Sequence, residues 1–381
     1  MGRTLHFAGF NGHLKLQRES KDTQSSCLHF YKPHVEDESP DDVKVFTSVN
    51  HSCRQLSLLS ATWCDIFFRS DGKIWHAGHK NDAQGPTLST LQLPKGIDAD
   101  DLKSLFGDPI AGIAGAVTLG GELLVINSLE EKNLIFHRMP LESGGKHLNV
   151  QMVAVGGDSL LYAACTHVDG GHAMSWVEVM QWDGRGTVKR VRSSPCPGEI
   201  HSLGAGSTSV VALTVAGQFF TAGSPLQASM LARSPTKSNP ASELSSVDAL
   251  NGIRIVKVCM SEWLAGALSA DRDLYVWGGR GGGGLKIDSL PSDQEDVRLV
   301  DIAGGVDIVD FAIGMGHILV LTDNGELWGC GDNEYGQLGL GHALDSFVRD
   351  WIKVPSHSNE AEIETLVAGG YGNWIISKTG S

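Results

Sequence analysis

Two short stretches carry residue types used by hydrolases. Gly157-Asp158-Ser159-Leu160 places a serine in a small-residue turn like a lipase nucleophile, and Asp169-Gly170-Gly171-His172 supplies an acid and a base. A serine nucleophile needs a base brought to it by the fold and oxyanion donors at a strand-to-helix turn. Both stretches fall inside one alternating segment with no helix pattern behind it, so the spacing argues against hydrolysis. Gly279-Arg280-Gly281-Gly282-Gly283-Gly284 fits the G-x-G-x-x-G template and follows the strand-like LYVWG. That fingerprint works because a helix N-terminus receives the pyrophosphate. The acidic LKIDSLPSDQED that comes next cannot supply one, so the glycines read as a loop and no cofactor is expected. The histidines form no H-x-x-x-H or H-E-x-x-H spacing, which leaves no metal site legible. The one basic cluster is Arg185, Lys189, Arg190 and Arg192 beside Trp182. It could hold an acidic protein tail or a phosphate. The alternative is a solvated edge strand kept unpaired by its charges.

The elements that position such residues follow from composition and repeats. The chain of 381 residues has 30 Lys plus Arg against 44 Asp plus Glu, a net charge of −14 that argues against direct nucleic-acid binding. Glycine is abundant at 47 residues, which implies many tight turns. No apolar run approaches the roughly 18 residues of a membrane span, and MGRTLHFAGF lacks a signal-peptide layout. His6 stands where myristoylation needs Ser or Thr. The expectation is a soluble cytoplasmic or nuclear protein with no membrane contact. Seven scattered cysteines without a C-x-x-C pair read as reduced core thiols. The lone triplet Asn50-His51-Ser52 reads as chance.

A repeated unit organises nearly the whole chain: an alternating apolar run, a turn, then a second run ending in aromatic or small residues and glycine. The turn falls at Gly72, Gly121, Gly170, Gly217, Arg272, Gly325 and Gly380, at spacings of 47 to 55 residues. Alternation about a short turn is a β-hairpin signature, and a period near 50 with several strands per unit means a propeller blade. Arg272 replaces glycine at its turn, which predicts a distorted blade there. The last copy, ETLVAGGYGNWIISKTG, lacks its second half, and LHFAGFNGHLKL from Leu5 supplies it. The expected fold is therefore all-β, a single propeller over 1–381 whose seventh blade is completed by N-terminal strands. The Ser- and Pro-rich stretch at 225–250 reads as a mobile loop insertion, and its Ser234-Pro235 as a candidate phosphorylation site.

The copy IVDFAIGMGHILVLTDNGELWGCGDNEYGQLGLG, with its G-M-G-H turn and G-Q-L-G ending, resembles the repeat of the regulator of chromosome condensation family. The resemblance implies a seven-bladed propeller. It also implies the family's roles: nucleotide exchange on small GTPases, action on chromatin, or adaptor function in multiprotein complexes. Only His317 matches the family's G-x-x-H turn; Cys64, Val117, Ser209, Leu264 and Gly372 are read as its equivalents. A histidine at such a turn is expected to hydrogen-bond nearby backbone.

The functional expectation is a non-enzymatic, monomeric interaction scaffold for protein partners, a small GTPase or chromatin-associated factor being the classes the resemblance suggests. The alternative is a guanine-nucleotide exchange factor. Counting five residues back from the apolar residue before the turn gives Trp63, Thr208, Trp263, Gly316 and Tyr371, and the rings Trp63, Trp263 and Tyr371 are predicted to gather at one mouth of the central channel with Trp374 nearby. Such rings are enriched in binding hot spots.

Overall fold

The computed structural model describes residues 3–10, 17–18, 29–30, 42–50, 57–62, 65–70, 72–78, 89–108, 112–126, 135–143, 146–169, 172–183, 188–279, 297–302, 304–341, 346–355 and 362–378. They form seven antiparallel blades in a ring. Blade 1 runs through Ser57–Ala61, Asp65–Ser70, Lys73–Gly78 and Ser89–Thr90. Blade 2 uses Leu102–Asp108, Gly112–Thr118, Leu123–Ile126 and Phe136–Met139, and blade 3 Asn149–Val155, Leu160–Asp169, His172–Trp182 and Val188–Cys196. Blade 4 comprises Ile200–Ala205, Ser209–Thr214, Phe219–Gly223 and Ser245–Ser246; blade 5 comprises Ile255–Met260, Leu264–Ser269, Leu274–Gly278 and Arg298–Leu299. Ile308–Ile313, His317–Thr322, Leu327–Asp332 and Phe347–Lys353 make blade 6.

Blade 7 is shared between distant parts of the chain. Glu362–Ala368 and Gly372–Lys378 are its inner strands, and Arg3–Phe10 pairs with the second of them in a register that sets Leu5 opposite Ile376 and Gly9 opposite Gly372. Asp42–Asn50 adds beyond Arg3–Phe10. The expected closure of the ring by N-terminal strands is thus present, and it covers an edge that would otherwise invite pairing with another chain.

Second strands such as Ser209–Thr214, Leu264–Ser269 and His317–Thr322 are buried along their whole length, because neighbouring blades cover both sheet faces. Alternation then decides which neighbour each residue meets. Leu264 and Leu268 pack with Phe311 and Val320 of blade 6, while Ala265 and Ala267 pack with Val211 and Leu213 of blade 4. Each of the seven blade junctions carries its own apolar cluster, including Leu5, Phe7, Trp374 and Ile376 against Ile66 and Phe68 where blade 7 meets blade 1.

The repeat turns have the backbone that the sequence demands. Gly72, Gly121, Gly217 and Gly325 have φ between 69° and 81°. Arg272 adopts φ 70° with the same turn hydrogen bonds, so blade 5 is not distorted. A non-glycine residue there costs on the order of 1 kcal/mol, and the Arg272 guanidinium is held by Asp307 and Asp323 at 3.4 and 3.5 Å. The turns also lace the ring: the carbonyls of Gly121, Gly217 and Arg272 accept hydrogen bonds from Val150, Ile255 and Ile308 of the next blade at 3.0–3.2 Å.

The stretch at 225–250 packs apolar side chains into the cores on both sides of blade 4. Met230, Leu231, Ala232, Ala241, Leu244, Val247 and Leu250 are buried, and Arg233 is only 7% exposed. Its guanidinium donates to the Thr221 side chain and carbonyl, to both oxygens of Asn239, and to the carbonyls of Pro240 and Glu243 at 2.9–3.3 Å. Ser-Pro composition could not show that one arginine ties this stretch to blade 4.

Candidate docking face at blades 5 to 7

In a four-stranded antiparallel blade, the first-to-second and third-to-fourth connections emerge on one face of the propeller. The first strands pack against one another around the centre, so the first-to-second connections rim the channel mouth. Main-chain bonds between blades fix this rim: Gly157 N to Gly206 O and Ser207 N to Glu262 O at 3.4 Å, and Met315 N to Gly370 O at 3.0 Å.

Trp263 and Tyr371 occupy the same step of this rim in blades 5 and 7, just before the residues opposite Gly278 and Gly9, and both are half-buried. The Trp263 carbonyl accepts from Gly279 N at 2.7 Å. Tyr371 meets Tyr335 of blade 6 edge-on, with ring centroids 5.3 Å apart. Burial pushes the Tyr371 hydroxyl pKa up, and Tyr335 together with the charges of Asp332, Glu262 and Glu334 adds to the shift. The patch is therefore aromatic and anionic.

Trp63 lies outside the described residues. Ser70 pairs directly with Lys73 in blade 1, whereas Ser269 N bonds Asp273 O and Thr322 N bonds Glu326 O across one residue more. Counting back from a turn one residue shorter slips the register by one. Cys64 also lies outside the described residues; Asp65 stands opposite the blade glycine, Gly78, as His317 stands opposite Gly331. In blade 2, Val117 pairs with Leu123 as Leu321 pairs with Leu327, which moves the His317 equivalent four residues back to Ile113. Trp374 is 1% exposed and packs on Phe7 at 4.5 Å, in the core rather than at the mouth.

The basic cluster divides. Arg185 lies outside the described residues. Lys189, Arg190 and Arg192 lie on the outer strand of blade 3, where Lys189 is exposed. Arg190, itself exposed, pairs with Glu178, a carboxylate 1% exposed, at 2.6 Å. Trp176 Nε1 donates to the same carboxylate at 2.6 Å. Arg192 is half-buried beside Tyr162, whose hydroxyl burial pushes up to about 12, Arg192 opposing the shift. Trp182 is half-buried against the junction of blades 2 and 3. Part of this cluster neutralises a buried acid.

The other chemical motifs resolve structurally. Ser159 precedes the ten-residue strand Leu160–Asp169 and His172 follows it, roughly 30 Å away at the rise of a strand. Gly281–Gly284 lie outside the described residues. His317 is fully buried; its Nδ1 lies 3.4 Å from Met315 O, and Asn373 Nδ2, which also donates to Gln337 O, approaches Nε2 at 2.8 Å. An amide donor at Nε2 makes that nitrogen the acceptor, so the ring is neutral with its proton on Nδ1. Burial lowers its pKa accordingly. Cys165, buried beside Glu178, is pushed up to about 12 and is not a reactive thiol. Among the described residues no three His, Cys, Asp or Glu side chains converge to hold a metal, and no helix is long and apolar enough to cross a membrane.

Sequence reasoning missed Tyr335, Glu262, Asp332 and Glu334. Tyr335 and Glu334 sit inside the GDNEYGQLG motif and were visible, but that motif reads as repeat architecture. Glu262 borders Trp263 and becomes relevant only when three blades are brought together.

Models of the regulator of chromosome condensation (RCC1) repeat match residues 308–337 and 324–371. The chain is a regulator of chromosome condensation repeat protein. Within this family it is similar to human E3 ubiquitin-protein ligase HERC2, 36% identical over 111 residues, which are 29% of this chain and 2% of HERC2. It also resembles the Arabidopsis thaliana ultraviolet-B receptor UVR8, 29% identical over 139 residues, 35% of this chain and 30% of the receptor. The chain thus covers only a minor part of these relatives. Two solved structures share the fold: Saccharomyces cerevisiae Prp20p, described with its binding properties to Gsp1p and histones (TM-score 0.68, 14% identity, 100% of this chain and 92% of that one), and human WBSCR16 (TM-score 0.67, 16% identity, 100% of both chains). A regulator of chromosome condensation repeat propeller supports a protein-interaction or regulatory role.

Proposed function

We propose that this propeller is a non-enzymatic scaffold of the cytoplasm or nucleus that docks protein partners in a regulatory complex through the rim carrying Trp263 and Tyr371. The observation that carries the reading is that rim: large half-buried rings from blades 5 to 7 on connections that main-chain hydrogen bonds tie from blade 4 to blade 5 and from blade 6 to blade 7. Anchors of this type, held rigid before binding, lose little entropy on docking. Quantitative partner capture with Trp263→Ala and Lys189→Ala proteins tests it. Capture falling tenfold or more for Trp263→Ala, at an unchanged melting temperature, is expected; the same partners retained at full yield would end the reading. A fall with Lys189→Ala instead would move the contact to blade 3.

A second reading, guanine-nucleotide exchange on a small GTPase, is favoured by the shared fold with Prp20p, whose structure was described with binding to Gsp1p. Release of labelled nucleotide from a panel of small GTPases decides it. Acceleration of any member by the purified protein establishes exchange, and silence across the panel leaves the scaffold.

A further inference from the structure

Blade 3 carries a basic stretch on its outermost strand, away from the rim of Trp263 and Tyr371. We propose that this strand, over residues 188–193, is a docking edge that takes an extended acidic segment of a partner protein as a fifth strand.

Most blades end in little that another strand could pair with. The outer strands of blades 1, 4 and 5 have two residues each and that of blade 2 has four, while in blade 7 Asp42–Asn50 already covers Arg3–Phe10. Blade 3 ends in nine, Val188–Cys196, paired on one side with His172–Trp182 and, among the described residues, with no strand on the other. Such an edge presents a row of backbone donors and acceptors to an incoming chain. Its far end is closed: Ser194 Oγ accepts from Leu244 N of the blade 4 connection at 2.8 Å, and Pro195 has no N–H to give. Residues 188–193 are the part left open.

Charge selects the occupant. Arg190 is paired with Glu178, but Lys189 and Arg192 make no ion pair or hydrogen bond among the described residues. Residues opposite each other in a sheet share a face. Lys189 stands opposite Gln181 and Arg192 opposite Val179, so both share the face of Tyr162, whereas Arg190 stands opposite Met180 on the other face. The register shift between them leaves Val191 without a partner in the ladder, 54% exposed between the charges. Two unpaired cations on one face of an open edge call for carboxylates at alternate positions of the added strand. Lysine, a bulge and a proline also keep an edge from pairing with its own kind. The two roles agree, since the same charge repels a second copy of this edge and attracts an acidic strand. Blade 6 gives the contrast. Its seven-residue outer strand, Phe347–Lys353, sets Asp350 beside Arg349 and has Lys353 held by Glu326, so it carries no such preference.

The probe is a fluorescein-labelled nonapeptide of alternating glutamate and threonine, followed by fluorescence anisotropy. Saturable binding is expected, weakened about tenfold or more by Lys189→Glu and by Arg192→Glu and kept by Lys189→Arg. Lys189 is exposed, so its reversal reads out even if Arg192→Glu fails to fold. Lys237→Glu, an equal change of charge on the blade 4 connection, should leave binding within about twofold of wild type, and so should Trp263→Ala. Strand addition has its own signature, because only alternate N–H groups of an added strand face the edge. Of two peptides N-methylated at every glutamate or at every threonine, one should bind nearly as well as the parent and the other should not bind. Equal behaviour of the two would mean attraction without a strand and overturns the proposal. No saturation with the parent peptide overturns it too, as does equal weakening by Lys237→Glu and Lys189→Glu. Loss of peptide binding in Trp263→Ala would put the peptide on the rim, with the same consequence. Partner capture that still depends on Trp263 while the peptide fails removes this inference and leaves the scaffold standing.

Discussion

Blades 4 and 6 join their third and fourth strands on the same face, from Gly223 to Ser245 and from Asp332 to Phe347, with unrelated chain. In blade 6 the short motif organises itself with amides. Asn333 Oδ1 accepts from Leu338 N at 3.1 Å and Gln337 Oε1 from Tyr335 N, delivering Leu338 and Leu340 into the core shared with blade 7. In blade 4 the motif is absent and Arg233 does the organising, delivering Met230 and Ala232 into the core shared with blade 5. Trp277 Nε1 of that next blade then donates to Met230 O at 3.1 Å. What persists is a task, plugging the end of a blade junction with apolar side chains. Two amides that each satisfy one backbone donor do it in few residues; a guanidinium gathers six acceptors from distant positions and tolerates a longer loop.

The difference sets an order of fragility. Deleting Leu231 to Ser246 should abolish cooperative thermal unfolding, since it opens the core between blades 4 and 5 and removes the outer strand of blade 4; a melting temperature within a few degrees of wild type would show that Arg233 organises nothing essential. Arg233→Met should cost about 3 kcal/mol in urea unfolding, because it orphans several buried carbonyls at 1–3 kcal/mol apiece before they rehydrate. Asn333→Ala should cost about 1 kcal/mol, the scale of one lost side-chain bond to backbone. If Asn333→Ala proves as damaging as Arg233→Met, the two solutions are not graded in this way.

The smallest effect distinguishes blade 6 by pH. His317 is neutral in the fold with its pKa lowered by burial, whereas in the unfolded chain it titrates near 6.5. Its contribution is therefore complete above about pH 6.5 and is lost as pH falls from there toward the folded value, at no more than about 1.4 kcal/mol per pH unit. Stability measured from pH 7.5 to 5.5 should decline more steeply for wild type than for His317→Gln. Parallel curves would exclude this histidine.

The ring was legible because its signals are local and repeated: alternating runs about turns, and an incomplete last copy answered by LHFAG near the start. Errors arose where one residue of spacing carried the information. The shorter blade 1 turn between Ser70 and Lys73 sets Asp65 opposite the blade glycine, Gly78, and a slip of one turns a side chain to the other face. Arg233 could not be read as an organiser, since its acceptors at Thr221, Asn239, Pro240 and Glu243 are assembled only by the fold. Trp374 was misjudged for a related reason. A ring near an exposed rim in sequence points inward one strand residue later, and Phe7, its neighbour, comes from the far end of the chain.

That pairing of Arg3–Phe10 with Gly372–Lys378 also has a schedule. On the ribosome the first strand emerges about 370 residues before its partner, a wait of roughly 20–75 s at 5–20 residues per second. Throughout that interval Leu5 and Phe7 can meet Asp42–Asn50 but lack Trp374 and Ile376, and six blades can stack while the circle stays open. Closure is then a single late event, and the half-made protein is a substrate for chaperones in a way that the finished one is not.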